Sequence, residues 1–192
     1  LSSWAMLLAH LTGIKYFGGP MILQCTYLLG PCAGIWNHGS TSRMARMCDR
    51  VCMALGLVCD LVWLWSCEEI NGDKRYLCCV NLLCAVTCYF LAKQASGWQS
   101  AVKKNTEDGL GWGDIHVEAT VWHLFAHLYV TLAHLLTLIF STRHTHSAAV
   151  DIFLIVSCIF VWGRTFSFVL NTLVVYLAIG LPALAASLFL FA

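Results

Sequence analysis

The sequence predicts an all-α protein, a polytopic transmembrane helical bundle of five to six spans that forms one membrane domain over residues 1–192. The chain is 59% hydrophobic and only 11% charged, whereas a soluble domain is about a quarter charged. Its apolar residues also form continuous blocks, several of them near the length of about 20 residues that a membrane-crossing helix needs. Because these blocks are continuous rather than alternating, they predict helices.

The apolar blocks predict six crossings in chain order. They lie at residues 17–36, 51–67, 76–92, 119–140, 148–163 and 165–192. Residues 1–14 form a shorter block with Trp4 and His10, which is expected to lie at the interface or to join the first crossing. The polar stretches 37–50 and 93–118 are predicted to be loops.

The basic residues of the predicted loops indicate the orientation in the membrane. The first, third and fifth loops carry seven of the eleven Lys and Arg residues, and the N-terminal segment and remaining loops carry four. Because short loops rich in Lys and Arg stay in the cytoplasm, six crossings place both termini on the lumenal or external side. The net charge of +1 gives no reason to expect a nucleic-acid partner.

The fourth predicted crossing carries a stripe of histidines along one face. His116, His123, His127 and His134 fall within about 20° of one line at 100° per residue. At 1.5 Å per residue the stripe covers about 27 Å, nearly the thickness of the hydrocarbon core. A polar stripe in a membrane helix must face a pore, a cavity or another helix. Since imidazole titrates near physiological pH, the four histidines are candidate pore-lining or proton-sensing residues.

Asp60 is the fifth candidate residue of the pore or proton sensor. It lies in the middle of the second predicted crossing, where a charged side chain costs at least about 2.5 kcal/mol on insertion scales. Asp60 is therefore expected to face the interior of the bundle, where it can be neutral or paired.

Three functions fit the histidine stripe. The first is a proton or cation channel whose fourth helix lines the pore. The second is a non-catalytic scaffold, in which the same histidines only form hydrogen bonds between helices. The third is a membrane enzyme with a metal or haem, because His123 and His127 at positions i and i+4 can share a metal ion. The fourth crossing offers no further ligand at suitable spacing, so no metal and no other cofactor are expected.

The sequence offers little support for enzyme chemistry. It contains no H-E-x-x-H, no G-x-S-x-G and no Gly-rich phosphate loop. His38, Glu68 and Cys88 follow the order of a cysteine protease, but Cys88 lies within a predicted crossing, where water is scarce. Most of the eleven cysteines lie in apolar blocks, where cysteine behaves as a small hydrophobic residue. The protein is therefore not expected to be an enzyme.

The two ends of the chain have the features of a processed polyprotein product. The chain begins at Leu1 without a methionine and ends in the apolar sequence LPALAASLFLFA. This ending is similar to a signal-peptidase junction, and both predicted termini lie on the lumenal side, where that peptidase acts. In these features the chain resembles membrane proteins of positive-strand RNA virus polyproteins of the flavivirus, hepacivirus and pegivirus kind.

The resemblance implies a viroporin-like channel or a scaffold for viral replication or assembly membranes. It places the protein in the membrane of the host endoplasmic reticulum, with the lipid bilayer as its first partner. Further copies of the chain or other viral membrane proteins are the expected protein partners.

Overall fold

A computed structural model describes residues 2–105, 112–142, 153 and 156–174 of the chain. Within these ranges there are six helices and no strands, which confirms the all-α prediction. The helices are α1 (Ser2–Phe17), α2 (Met21–Gly39), α3 (Arg43–Ser66), α4 (Gly72–Asn105), α5 (Trp112–Phe140) and α6 (Val156–Val174). The chain divides into two compact units, Leu1–Ala148 and Ala149–Ala192. The expectation of one membrane domain stays a prediction.

Three of the described helices are long and apolar enough to cross a membrane. They are Gly72–Gly97 within α4, Glu118–Phe140 within α5, and α6 itself. The presence of helices that can cross a membrane is therefore confirmed, while the number of five to six spans stays a prediction.

The first unit is a ring of five helices. Helix α1 packs against α2 and α5, α2 packs against α3, and α4 packs extensively against α5. A smaller contact between α3 and α4 closes the ring. Leu23 and Tyr27 of α2 form a buried core with Leu138 of α5, and side chains of α1 and α3 pack around it. This ring fixes the inward-facing side chains of α1, α2, α3 and α5 relative to one another.

The helix ends differ from the predicted loops. Helix α2 continues to Gly39 and α3 begins at Arg43, so only residues 40–42 remain of the loop predicted at 37–50. The Ser42 hydroxyl accepts a hydrogen bond from the Met44 amide at 3.2 Å, which caps the start of α3. Helix α4 likewise runs to Asn105, into the loop predicted at 93–118. Hydropathy predicts the apolar part of a helix. It does not predict the ends of the helix, because a helix can continue beyond its apolar part.

Two glycines make the turn between α1 and α2. Gly18 and Gly19 have φ angles of 70° and 106°, and Pro20 then precedes the first turn of α2. Only glycine adopts such positive φ values without a steric cost. The Gly19 carbonyl also accepts a hydrogen bond from the Gln24 side-chain amide at 2.7 Å. The turn therefore sets how α1 lies against the rest of the ring.

Gly19→Ala is expected to lower the free energy of unfolding by about 1–2 kcal/mol, because alanine is strained at this backbone conformation. The added Cβ would also lie 2.8 Å from Leu138 Cδ2. Gly30→Ala is the matched control, since Gly30 lies within α2 and has open space around it. Unfolding of both variants in detergent, followed by circular dichroism, measures the difference. Equal stability of the two variants would contradict the assigned turn.

The first unit carries its apolar side chains outward and several polar ones inward. Its exposed large hydrophobic residues include Val58, Val62 and Trp65 of α3 and Phe90 of α4. Its buried polar residues are Ser3, His10, Asp60, Asn81, His134 and Thr137. Extended apolar surface is unusual on a soluble monomer, whereas polar residues of membrane helices face the bundle interior. The distribution fits a bundle surrounded by lipid.

Candidate functional site

The histidine stripe of α5 faces other helices of the ring. His134 is only 6% exposed, and His123 and His127 are half-buried. His116 lies on α5, but its side chain is outside the described residues. The three described histidines divide into two groups, because His134 contacts α1, α2 and α3, whereas His123 and His127 lie beside the end of α2.

His134 belongs to a buried polar network with His10, Tyr27 and Asp60, one residue from each of four helices. His134 Nε2 lies 3.0 Å from Asp60 Oδ2, and His134 Nδ1 lies 3.1 Å from His10 Nε2. The Tyr27 hydroxyl donates a hydrogen bond to Asp60 Oδ1 at 2.5 Å. His10 Nδ1 lies 2.7 Å from the Tyr27 carbonyl oxygen. His10, Tyr27 and Asp60 are each 0% exposed, so this network is shielded from solvent.

Ring stacking holds the network in this arrangement. The rings of Tyr27 and His134 stack with their centroids 3.9 Å apart and an interplanar angle of 11°. The ring of His10 lies 4.9 Å from that of His134. Tyr27 also interacts with the Thr137 hydroxyl of α5 and the Cys78 thiol of α4. All five helices of the ring therefore contribute a group to the network or its immediate surroundings.

The hydrogen bonds fix how many protons the buried network holds. The Tyr27 carbonyl can only accept, so His10 Nδ1 must carry a proton. The contact between His10 and His134 needs one proton, and so does the contact between His134 and Asp60. These protons can be placed with His10 or His134 as an imidazolium opposite an ionised Asp60, or with all three groups neutral. Each placement leaves the network with zero net charge, and moving the proton within one of the two contacts converts one placement into another.

His38, His123 and His127 form the second group, which we call the three-histidine group. One nitrogen from each residue lies within 4.8 Å of the other two. The ring centroid of His38 is 5.4 Å from that of His123 and 6.4 Å from that of His127. His38 is exposed near the C-terminal end of α2, while the other two lie one turn apart on α5. Imidazole nitrogens this close could hold a metal ion.

Two ring nitrogens of the three-histidine group have no hydrogen-bond partner among the residues that the structure describes. They are Nε2 of His123 and Nδ1 of His127, and both atoms are buried. An Asp49 carboxylate from α3 interacts electrostatically with His123, and so does Lys93 from α4. Asn37 donates a hydrogen bond from Nδ2 to Asp49 Oδ2 at 2.7 Å and so orients this carboxylate.

Four of the seven residues that meet in these two groups are candidates from the sequence, namely Asp60, His123, His127 and His134. His134 and Asp60 were assigned as candidates from separate crossings, and the structure brings them together. His10, Tyr27 and His38 were not assigned. The signal for His38 was weak because it lies outside the apolar blocks, and Tyr27 is an ordinary residue for a membrane helix. The prediction that the histidines line a pore is not tested by their positions.

Comparisons with known proteins identify no relative. No family model matches the chain, and neither a curated protein nor a solved structure is detectably similar to it. The two groups of side chains therefore carry the functional argument.

Proposed function

We propose that the protein is an acid-activated membrane channel for protons or cations, of the viroporin kind, and that the buried polar network is its gate. The observation that carries the proposal is the continuous set of buried hydrogen-bond contacts that joins His10, Tyr27, Asp60 and His134 from four helices. Because any proton added to this network gives it a net positive charge, the network can respond to acid.

Acid opens the proposed gate because binding of one further proton to the buried polar network gives the network a net charge. Wherever that proton binds, the network acquires a net positive charge in an interior that excludes water. An unpaired buried charge is strongly destabilising. Separation of α1 from α5, with entry of water between them, relieves this cost because it hydrates the imidazolium groups. The expected response is therefore opening on acidification and closure when the pH is raised again.

The three-histidine group provides an entry point for protons. His38 is exposed, and the imidazoles of His123 and His127 continue from it along the inward face of α5. His127 and His134 are separated by seven residues, or about 10 Å along the helix axis. Water that enters the open bundle would bridge this distance, so that protons pass from the exposed end of α2 to Asp60.

Proton flux into liposomes that contain the purified protein tests the proposal. The wild-type protein is expected to show a flux that rises on acidification. His134→Phe removes the titrating group but keeps a ring at this position, so acid-activated flux should be lost. Asp60→Asn removes the carboxylate that stabilises an imidazolium at His134, so activation should move to lower pH.

Leu124→Ala is the control variant, because Leu124 lies on α5 and is 44% exposed on the outer surface of the ring. It should conduct as the wild type does. No flux above that of empty liposomes from correctly folded wild-type protein would rule out the channel. A His134→Phe variant with the pH dependence of the wild type would rule out the gate.

A non-catalytic scaffold for viral replication or assembly membranes is the second candidate function. The complete burial of His10, Tyr27 and Asp60 favours it, since a dry and saturated network also serves simply to hold helices together. The two functions differ in conductance, because a scaffold would keep the bundle stable and pass no current at any pH.

The proposed setting is the membrane of the host endoplasmic reticulum, with both termini on the lumenal side. Three helices of the described chain are apolar enough for a bilayer, and the distribution of Lys and Arg supports this orientation. Proposed partners are further copies of the chain or other viral membrane proteins.

A further inference from the structure

We propose that the three-histidine group, His38 with His123 and His127, is a binding site for a transition-metal ion, with Zn²⁺ as the expected ligand. The site is distinct from the buried polar network and its existence does not depend on channel activity. It joins the C-terminal end of α2 to α5.

The distances suit a zinc site after small side-chain rotations. Zinc lies about 2.0–2.1 Å from imidazole nitrogens in tetrahedral sites, which places two such nitrogens roughly 3.3 Å apart. The three candidate nitrogens lie within 4.8 Å of one another. His38 is exposed and therefore free to rotate, while His123 and His127 are already one turn apart on the same face of α5. Rotations of these three side chains would bring the nitrogens to the spacing that zinc requires.

The unpartnered nitrogens are an independent indication of a ligand. Nε2 of His123 and Nδ1 of His127 are buried and make no hydrogen bond within the described part of the chain. Most buried polar atoms of proteins have a partner, and each exception calls for an explanation. A metal ion bound through these atoms would supply the missing partners. A neutral imidazole binds a metal ion through its unprotonated nitrogen, so both rings can bind the ion without a change in charge.

The chemistry of the ligands favours a transition-metal cation. Three imidazoles select Zn²⁺ and neighbouring transition metals over Mg²⁺ and Ca²⁺, which prefer oxygen. The Asp49 carboxylate, which Asn37 orients, lowers the electrostatic cost of a cation near His123. Lys93 acts in the opposite direction, and its long side chain can turn toward water. Asp49 therefore serves as a supporting residue that tunes the affinity.

Zinc binding to the purified protein in detergent, by competition with a chromophoric chelator, tests the site. Wild-type protein is expected to bind one zinc ion at this site. In His38→Gln, the affinity for this ion should be at least about 100-fold weaker. Because both proteins carry the same eleven cysteines, the difference between them reports the histidine site rather than thiol binding. Since His38 is exposed, its replacement should leave the fold intact, which circular dichroism checks.

Three further variants define the role of each group. His38→Asp supplies a carboxylate ligand and should restore binding to within about tenfold of the wild type. Asp49→Asn should weaken binding by about tenfold, as removal of a supporting partner does in other zinc sites. His146→Gln, which removes an imidazole elsewhere in the sequence, should bind as the wild type does.

Two results would overturn the proposed metal site. One is the absence of zinc binding by folded wild-type protein. The other is equal affinity in the wild type and His38→Gln, which would assign the ion to cysteines or to another part of the chain. Absorption of the Co²⁺-loaded protein gives a second readout, because nitrogen ligation lacks the thiolate charge-transfer band. Neither measurement uses ion flux, so failure of the channel proposal would leave this test unaffected.

Discussion

Replacing His134 with leucine is expected to lower the free energy of unfolding by about 3–5 kcal/mol, the usual cost of removing one member of a buried ion pair. The change removes the histidine partner of Asp60, a residue that is 0% exposed and keeps the hydrogen bond from the Tyr27 hydroxyl. It also removes the group that contacts His10 Nε2 at 3.1 Å. Two helices, α1 and α3, thereby lose their polar contact with α5.

A double-mutant cycle shows whether this cost comes from the pair itself. Asp60→Leu alone should cost about as much as His134→Leu, since an unpaired imidazole is also costly to bury. The variant with both replacements should cost clearly less than the two single changes added together, because no charge remains unpaired. Unfolding in mixed micelles, with Leu124→Ala as the control on the outer surface of α5, gives all four values. Single and double effects that simply add would show that the two residues are not coupled.

Gly13→Ile is expected to lower the free energy of unfolding by about 3 kcal/mol, because it forces a large side chain into a close helix contact. A Cβ atom at Gly13 would lie only 2.5 Å from Leu135 Cδ2 and 3.4 Å from Leu138 Cδ1. Gly13 lies three residues after His10, on the same face of α1. The substitution should therefore push α1 away from α5 and break the contact between His10 and His134.

Two further variants test whether contact with Leu135 causes the loss of stability. Gly13→Ile combined with Leu135→Ala should recover much of the stability, because the smaller side chain on α5 makes room for isoleucine. Gly13→Ala should cost far less than Gly13→Ile, since the end of the Leu135 side chain can rotate aside. Thermal unfolding in detergent measures these changes. Failure of Leu135→Ala to rescue Gly13→Ile would show that the two helices do not approach each other here.

Sequence patterns predicted the parts of the site that depend on one helix. The period of α5 placed His123, His127 and His134 on one face, and the cost of a carboxylate in lipid directed Asp60 inward. The partners could not be predicted, because Tyr27 and His10 meet Asp60 and His134 only through the packing of separate helices. The same limit applied to His38, which lies close to α5 only because α2 continues as a helix through the polar residues before Gly39.

For the fold, the sequence predicts the helical class but not the ends of the helices. Low charge and continuous apolar blocks predict helices that are apolar enough to cross a membrane, and the described residues contain three of them, since these features follow directly from the cost of polar groups in lipid. Helix ends depend instead on local capping and on glycine turns. Ser42 and Gly19 therefore set boundaries that hydropathy does not detect.

The distance along the chain between His10 and His134 has a consequence for biosynthesis. The two residues are 124 positions apart, so at the usual rate of translation roughly 6–25 s pass between their synthesis. During the last 74 residues of this interval His10 and Asp60 are both present, while the imidazole that joins them has not been synthesised. The early helices must therefore wait in a loosely associated state. A nascent chain halted before α5 is expected to be a target for membrane chaperones and quality-control proteases.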